Sequence, residues 1–223
     1  MPTFTGDEAL SYDKRIGKLV LGYELLHHTT AAQLSVTLDQ DATILVIGAG
    51  TGKDIIELAK HNAGWQFIAQ DISADMLAIA DQNFTNLGLS DRVTIHLGPI
   101  KDAIYQADAA LCLLVLHFVS DNGDKAELLK QIGLNLRAGG QLFLADLMQP
   151  DTDFERAAQL HYCQKELGLT DAGAQTMRHQ FQEAFYPISG ARLHELTSLT
   201  GFCSPSLYFK ALGFSAHAIA KGQ

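Results

Sequence analysis

Three glycines at every second position, Gly48, Gly50 and Gly52, stand between an apolar run, Thr43 to Ile47, and apolar residues at helical spacing, Ile55, Ile56, Leu58 and Ala59. Their chemistry is that of bare backbone. The short β-branched run reads as a strand covered on both faces. A turn stripped of side chains lets a ligand lie against peptide groups at the start of the following helix. Nineteen residues past Gly52, at the end of a second apolar run, Trp65 to Gln70, comes Asp71. A carboxylate at the tip of a neighbouring strand accepts both hydroxyls of an adenosine ribose. The expected ligand therefore contains adenosine and need carry no phosphate. A structural turn with an incidental aspartate is the plainer alternative. Lys53 stands where a dinucleotide fingerprint carries its third glycine, which argues against NAD and FAD.

Two further side chains could move a proton. His117 follows a run read as the fourth strand, Ala109 to Val115, and lies near its carboxyl end, where ligands bind in open α/β sheets. Imidazole is the natural acceptor near neutral pH, and a packing histidine is the alternative. Asp146 stands at the tip of the fifth strand, Gln141 to Ala145, where it could hold a substrate amine, take a proton or cap the next helix.

The elements that would position these groups alternate. Residues 7 to 38 read as helical, broken at Gly17 and Gly22, with aromatics, a carboxylate and imidazoles in Ser11-Tyr12-Asp13 and in Gly22 to His28. A helix from Gly52 to His61, the strand Trp65 to Gln70, a helix N-capped by Ser73 and carrying Met76, and a strand over Arg92 to Leu97 follow. A helix over 121–137 is expected to stop at Ala138-Gly139-Gly140. Residues 151 to 187 interrupt the alternation with two helices over the open end of the crevice, a natural lid. On these, Tyr162, Lys165 and Arg178 are substrate candidates, with solvated helix faces the alternative. A helix over 191–200 and two last strands, near Ser206 to Phe209 and Ala216 to Ala220, close the chain, with Phe214 in the link.

Residues 43 to 54, Asp71 to Leu77 and Asp108 to Phe118 resemble, in order and spacing, the class I S-adenosylmethionine-dependent methyltransferases. The resemblance covers about residues 40 to 148. It implies an α/β fold with a Rossmann-like seven-stranded sheet, helices on both faces, a C-terminal antiparallel hairpin and a helical cap. The domains it implies are a cap over 1–40 and a methyltransferase domain over 41–223 with a lid at 151–187. S-adenosylmethionine is the implied cofactor, held by Gly48, Ala49, Gly50, Thr51, Gly52, Asp71, Ile72 and Met76. Pro99, Ile100, Leu113 and Leu114 complete this set, Leu113 and Leu114 through backbone carbonyls beside the methionine end, and Tyr23 acts from the cap. Met76 as plain core and Tyr23 as a half-buried helix residue are the alternatives.

The sequence departs from the family at two places. Pro99 stands where relatives carry an acid for the adenine amine, leaving Asp102 or water to meet it. Val46 stands where relatives carry an acid that organises the methionine ammonium, so that group must find carbonyls or another carboxylate. A patchier similarity, through Gly22-Tyr23, His117, the stretch 161–168 and Thr200-Gly201-Phe202, is to the carboxy-S-adenosylmethionine synthases of tRNA wobble modification. The arginine that helps hold a carboxylated cofactor in that family falls near Leu196, with Arg192 one turn earlier, so the clamp is missing.

Composition narrows the function further. The 223 residues carry a net charge of −9 with no basic block, a poor match to a phosphate backbone and a better one to a neutral or cationic small molecule. No apolar run or leader pattern points to a membrane or to export, so a cytoplasmic protein is expected. Cys112, Cys163 and Cys203 have no zinc spacing and read as reduced thiols, and no metal is expected. The favoured reading is transfer of a sulfonium methyl group to a small molecule, with Asp146 or His117 as base or orienter and a homodimer left open. Carboxy-S-adenosylmethionine chemistry, a non-catalytic binder of the cofactor and an NAD oxidoreductase are the competitors.

Overall fold

The computed structural model describes residues 4–102, 104–152 and 154–222, with the side chains of Asp7 and Asp102 outside the description. Seven strands form one mixed sheet in the order β3-β2-β1-β4-β5-β7-β6. They are β1 Thr43–Ile47, β2 Gln66–Asp71, β3 Val93–Leu97, β4 Ala107–Leu113, β5 Leu136–Leu147, β6 Ser206–Ala211 and β7 Phe214–Ala220. β1 pairs in parallel with β2 and β4, and only β7 runs against its neighbours β5 and β6. The order reverses between β1 and β4, and a crevice opens there beyond the carboxyl ends of the strands.

Alternation along β1 explains the two cores. Ile44 and Val46 pack on one face with Phe67, Ala69, Leu111 and Phe143, and Leu45 and Ile47 on the other with Ile68, Ala110, Cys112 and Leu144. The first face is covered by α2 Tyr23–Thr37, α3 Lys53–Ala59 and α4 Ala74–Asn86, through Leu26, Leu34, Ile55, Leu58, Leu77 and Phe84. The second is covered by α5 Asp124–Asn135 and α8 Gly190–Leu199, through Leu129, Ile132, Leu193 and Leu196. Helix α1, Gly6–Ile16, lies over the crevice, while α6 Glu155–Lys165 and α7 Asp171–Glu183 form the helical pair after β5. Leu26, Ala31 and Leu34 of α2 share their cluster with β1, so the N-terminal helices and the sheet have a common core.

Beyond shifts of a few residues elsewhere, the boundaries that differ from the sequence reading lie around β4, β5 and β7. The fifth helix ends at Asn135, because Leu136 is extended (φ −91°, ψ 141°) and pairs with Ala107. Gly139 and Gly140 therefore bend β5 and do not stop a helix; a Cβ at Gly140 would come within 3.1 Å of the Asp108 carbonyl. β4 ends at Leu113, because Leu114 adopts φ 61° and turns its N–H to the Ala145 carbonyl. Phe214 opens β7 and pairs with Leu147 and Ala211. Among the described residues no helix is long and apolar enough to cross a membrane, no three His, Cys, Asp or Glu gather to hold a metal, and the cysteines are unpaired.

Candidate active site

Gln70, the last residue but one of β2, ties the glycine turn to the loop after β3. Its Oε1 accepts the Gly48 N–H (3.3 Å), its carbonyl accepts the Ala49 N–H (2.8 Å), and its Nε2 donates to the Gly98 carbonyl (2.7 Å). Asp71 then takes the Gly50 N–H on Oδ2 (2.9 Å) and the Ser73 N–H on Oδ1 (2.8 Å). Each carboxylate oxygen keeps a lone pair, so Asp71 can still accept two hydroxyls of a ligand. The glycine turn is left-handed at Gly48, Gly50 and Gly52 (φ 66°, 55° and 83°).

A cavity of about 330 Å³ runs along this turn and is lined by Gly48, Gly50, Asp71, Ile72, Met76, Pro99, Ile100, Leu113 and Leu114. Tyr23, Ala49 and Thr51 line a small polar recess of about 30 Å³ on the other side of the turn. Gly52 lines neither. A Cβ there would sit 2.6 Å from the Phe84 ring, so this glycine serves the packing of α3 on α4 and not contact with a ligand. Asp102, expected near the adenine amine, lies outside the described side chains.

His117 and Asp146 are neighbours. His117 sits on a single 3-10 turn, Leu116–Phe118, and its Nδ1 is hydrogen-bonded to Asp146 Oδ1 at the end of β5. Parallel pairing of β4 with β5, with Leu113 opposite Ala145, brings the two together. Both are buried. The turn is fastened at three points: Lys125 Nζ donates to the Leu116 carbonyl (2.5 Å), the Tyr186 N–H to the His117 carbonyl (2.7 Å), and the Phe118 N–H to the Val115 carbonyl (3.0 Å). Phe118 and Phe185 flank the imidazole at 4.0 and 4.9 Å. Burial pushes the Lys125 ammonium below its usual pKa, against the opposing pull of Asp146, Asp121 and Cys112.

His117 lines a second cavity, about 260 Å³, walled by Phe4, Ile16, Leu19, Phe118, Leu147, Met177, Phe181 and Phe185, with Arg15, Thr176 and Gln180 as polar members. Among the described residues the Arg15 side chain takes part in no hydrogen bond or ion pair. Tyr12 and Leu114 line this cavity and both compartments beside the glycine turn, so the three spaces meet at these two residues.

Tyr162, Lys165 and Arg178 do not reach this space; all three are exposed and line neither cavity. The inner faces of α6 and α7 are set by Leu160, Cys163, Ala174 and Met177, and the apolar period of these helices was the available signal. Leu196 is core, and Arg192 is held by Asp121 and Glu195 at the surface of α8, so neither supplies a cation to the crevice. Tyr12, Gln70, Phe118, Phe185 and Asp54 of the recess were not foreseen as site residues. Only the density of polar and aromatic residues in 11–13 and 22–28 hinted at the first helices' part.

Residues 45–142 match a family of methyltransferase domains. The demethylmenaquinone methyltransferase of Lactiplantibacillus plantarum is 30% identical over 185 residues, covering 80% of this chain and 74% of that protein. Among solved structures, the mitomycin 7-O-methyltransferase MmcR superposes with a TM-score of 0.66 at 20% identity, over 89% of this chain and 54% of that one. Human N-acetylserotonin methyltransferase in complex with SAM superposes with a TM-score of 0.67 at 21% identity, over 97% and 56%. At these identities the likeness is one of fold, and the chain spans about half the length of both solved proteins.

Proposed function

Because the chain belongs to the S-adenosylmethionine-dependent methyltransferases, we propose that it methylates a small, largely apolar molecule bearing a weakly acidic hydroxyl, with His117 taking the hydroxyl proton. The observation that carries this reading is the buried His117–Asp146 pair on the wall of an aromatic cavity that meets the glycine turn.

The residues of the crevice fit the cofactor. Asp71 offers free lone pairs for a ribose, the left-handed turn sets the bare backbone of Gly48 and Gly50 on the cavity wall, and Ile72, Met76, Pro99 and Ile100 give an apolar lining to the same cavity. When bound, S-adenosylmethionine supplies an electrophilic sulfonium methyl group. The chain's own part is to hold the acceptor close and dry. Phe118, Phe181, Phe185 and Met177 exclude water, and holding reactants in near-attack geometry is worth roughly 7–11 kcal/mol.

Asp146 fixes the imidazole with its Nδ1–H as donor, which leaves Nε2 as the basic nitrogen for the acceptor hydroxyl. Base catalysis of this kind adds about a hundred- to ten-thousand-fold. Arg15 and Gln180 supply the polar contacts that orient the acceptor. The acidic net charge favours a small molecule over nucleic acid. The unpaired cysteines agree with work in the cytoplasm. The test is transfer of a labelled methyl group to a panel of phenols, amines and thiols, with His117→Ala beside the wild type. Methyl ethers from phenols, lost in the variant, bear the proposal out; phenol turnover equal in both proteins, or transfer to amines alone, overturns it.

A further inference from the structure

The recess beside the glycine turn holds a carboxylate that the reaction above does not use. Asp54 lies in the first turn of α3, and its Oδ1 accepts a hydrogen bond from His27 Nε2 at 2.5 Å. The other ring nitrogen of His27 donates to the Tyr23 carbonyl at 2.7 Å, so both nitrogens face acceptors and the ring is held as an imidazolium. Oδ2 of Asp54 takes no hydrogen bond from any described residue, and Asp54 lines the recess with Tyr12, Tyr23, Gly48 and Thr51.

The recess has room for a small charged end group and none for a ring. The other carboxylates near the turn do not line the recess. Asp71 holds two backbone N–H groups on the side of the larger cavity, and Asp13 accepts the Thr51 hydroxyl at 2.7 Å. Val46, two residues before the turn, is buried in the sheet and offers nothing polar. Lys53 is engaged by Glu57 at 3.1 Å. A molecule whose ribose lies on Asp71 and whose other end crosses the turn therefore meets Asp54 there.

We infer that Asp54, positioned by His27, receives the α-ammonium group of the cofactor's methionine end, with the hydroxyls of Tyr12 and Tyr23 donating to its α-carboxylate. The inference rests on the cofactor reading above. Charge balances in this arrangement: the imidazolium offsets Asp54, and the amino acid end brings one charge of each sign. Burial, followed by the charge of Asp54, raises the pKa of both tyrosines, so they remain hydroxyl donors.

The test is calorimetric titration of the wild type and Asp54→Asn with S-adenosylhomocysteine and with 5′-methylthioadenosine, which keeps the adenosine and thioether but has no amino acid end. The expected result is at least a ten-fold loss of S-adenosylhomocysteine affinity in the variant, with methylthioadenosine affinity unchanged within two-fold. That second ligand also reports that the crevice is intact. Unchanged affinity for S-adenosylhomocysteine, or an equal loss of both ligands, overturns the inference. A wild type that binds neither ligand overturns the cofactor reading itself, an outcome distinct from the other two.

Discussion

His117 and Asp146, 29 positions apart, are joined by one buried hydrogen bond between Nδ1 and Oδ1, which leaves Nε2 as the ring nitrogen with no protein partner among the described residues. The carboxylate selects the tautomer and the ring orientation. Removing the base and mis-setting it should give different signatures. His117→Ala is expected to lower kcat by about a hundred- to ten-thousand-fold. Asp146→Asn keeps the volume but can turn an amide N–H toward Nδ1, which stabilises the wrong tautomer. A loss on the order of a hundred-fold is expected. Steady-state rates of the wild type and both variants check this.

Asp71 combines a structural and a binding duty, and the two can be separated. Asp71→Asn retains one acceptor oxygen but sets an amide N–H against either Gly50 or Ser73, both of which need an acceptor. Stability should fall by about 1–3 kcal/mol, the cost of one unsatisfied donor. Affinity for S-adenosylhomocysteine and for methylthioadenosine should fall together by about ten-fold or more, since both carry the ribose. Urea unfolding and calorimetry on the same preparation read the two effects. Retained affinity for both ligands would remove Asp71 from the ribose site.

These two sites were unequally legible in the sequence. The glycine turn and Asp71 announce themselves because the chemistry is done by consecutive backbone groups and by one strand tip, features that local pattern encodes. His117 and Asp146 could each be placed at a strand end, but their contact needs the register that sets Leu113 opposite Ala145, which no local pattern carries. Tyr162, Lys165 and Arg178 are polar residues on helices that turn Leu160, Cys163, Ala174 and Met177 inward, with Glu155 and Gln159 beside them on the first helix, and all three are exposed on the opposite faces. The partnership of Asp54 with His27 joins two helices across the β1 strand between them, and Val46 gave only the negative half of that clue. Gly52 shares the spacing of Gly48 and Gly50, but it lines neither compartment beside the turn and its missing side chain is required by Phe84.

That last contact can be measured. A methyl group at position 52 would lie 2.6 Å from two carbons of the Phe84 ring and 3.3 Å from Ala80 Cβ, on a backbone at φ 83°. Strain of the left-handed residue and overpacking each cost on the order of 1–3 kcal/mol. Gly52→Ala is therefore expected to destabilise by about 3 kcal/mol, a fall in Tm of roughly 6–12 °C for a chain of this size. In the Phe84→Leu background the penalty should shrink toward the backbone part alone, so a double-mutant cycle gives a coupling energy above about 0.5 kcal/mol. Additive effects would show that the ring is not what Gly52 accommodates.

The His27–Asp54 pair should also leave a mark on stability against pH. Burial of His27 opposes its charged form, but the charge and hydrogen bond of Asp54 and the Tyr23 carbonyl outweigh it, against a small opposing contribution from Lys53, and the pKa is raised above the usual histidine value. A group with a raised folded-state pKa stabilises the native protein fully below its unfolded value, about 6.5, and loses that contribution as pH rises through the folded value. In His27→Gln the glutamine can still donate to Asp54 but does not titrate. The gap in Tm between wild type and His27→Gln is therefore expected to be widest near about pH 6 and to narrow steadily toward about pH 9. Differential scanning calorimetry of the two proteins in matched buffers reads this gap directly, and groups common to both cancel in the difference. A gap that stays constant across the range, or widens as pH rises, would mean that His27 is not charged in the folded protein, and Asp54 would then face the recess without a neutralising partner.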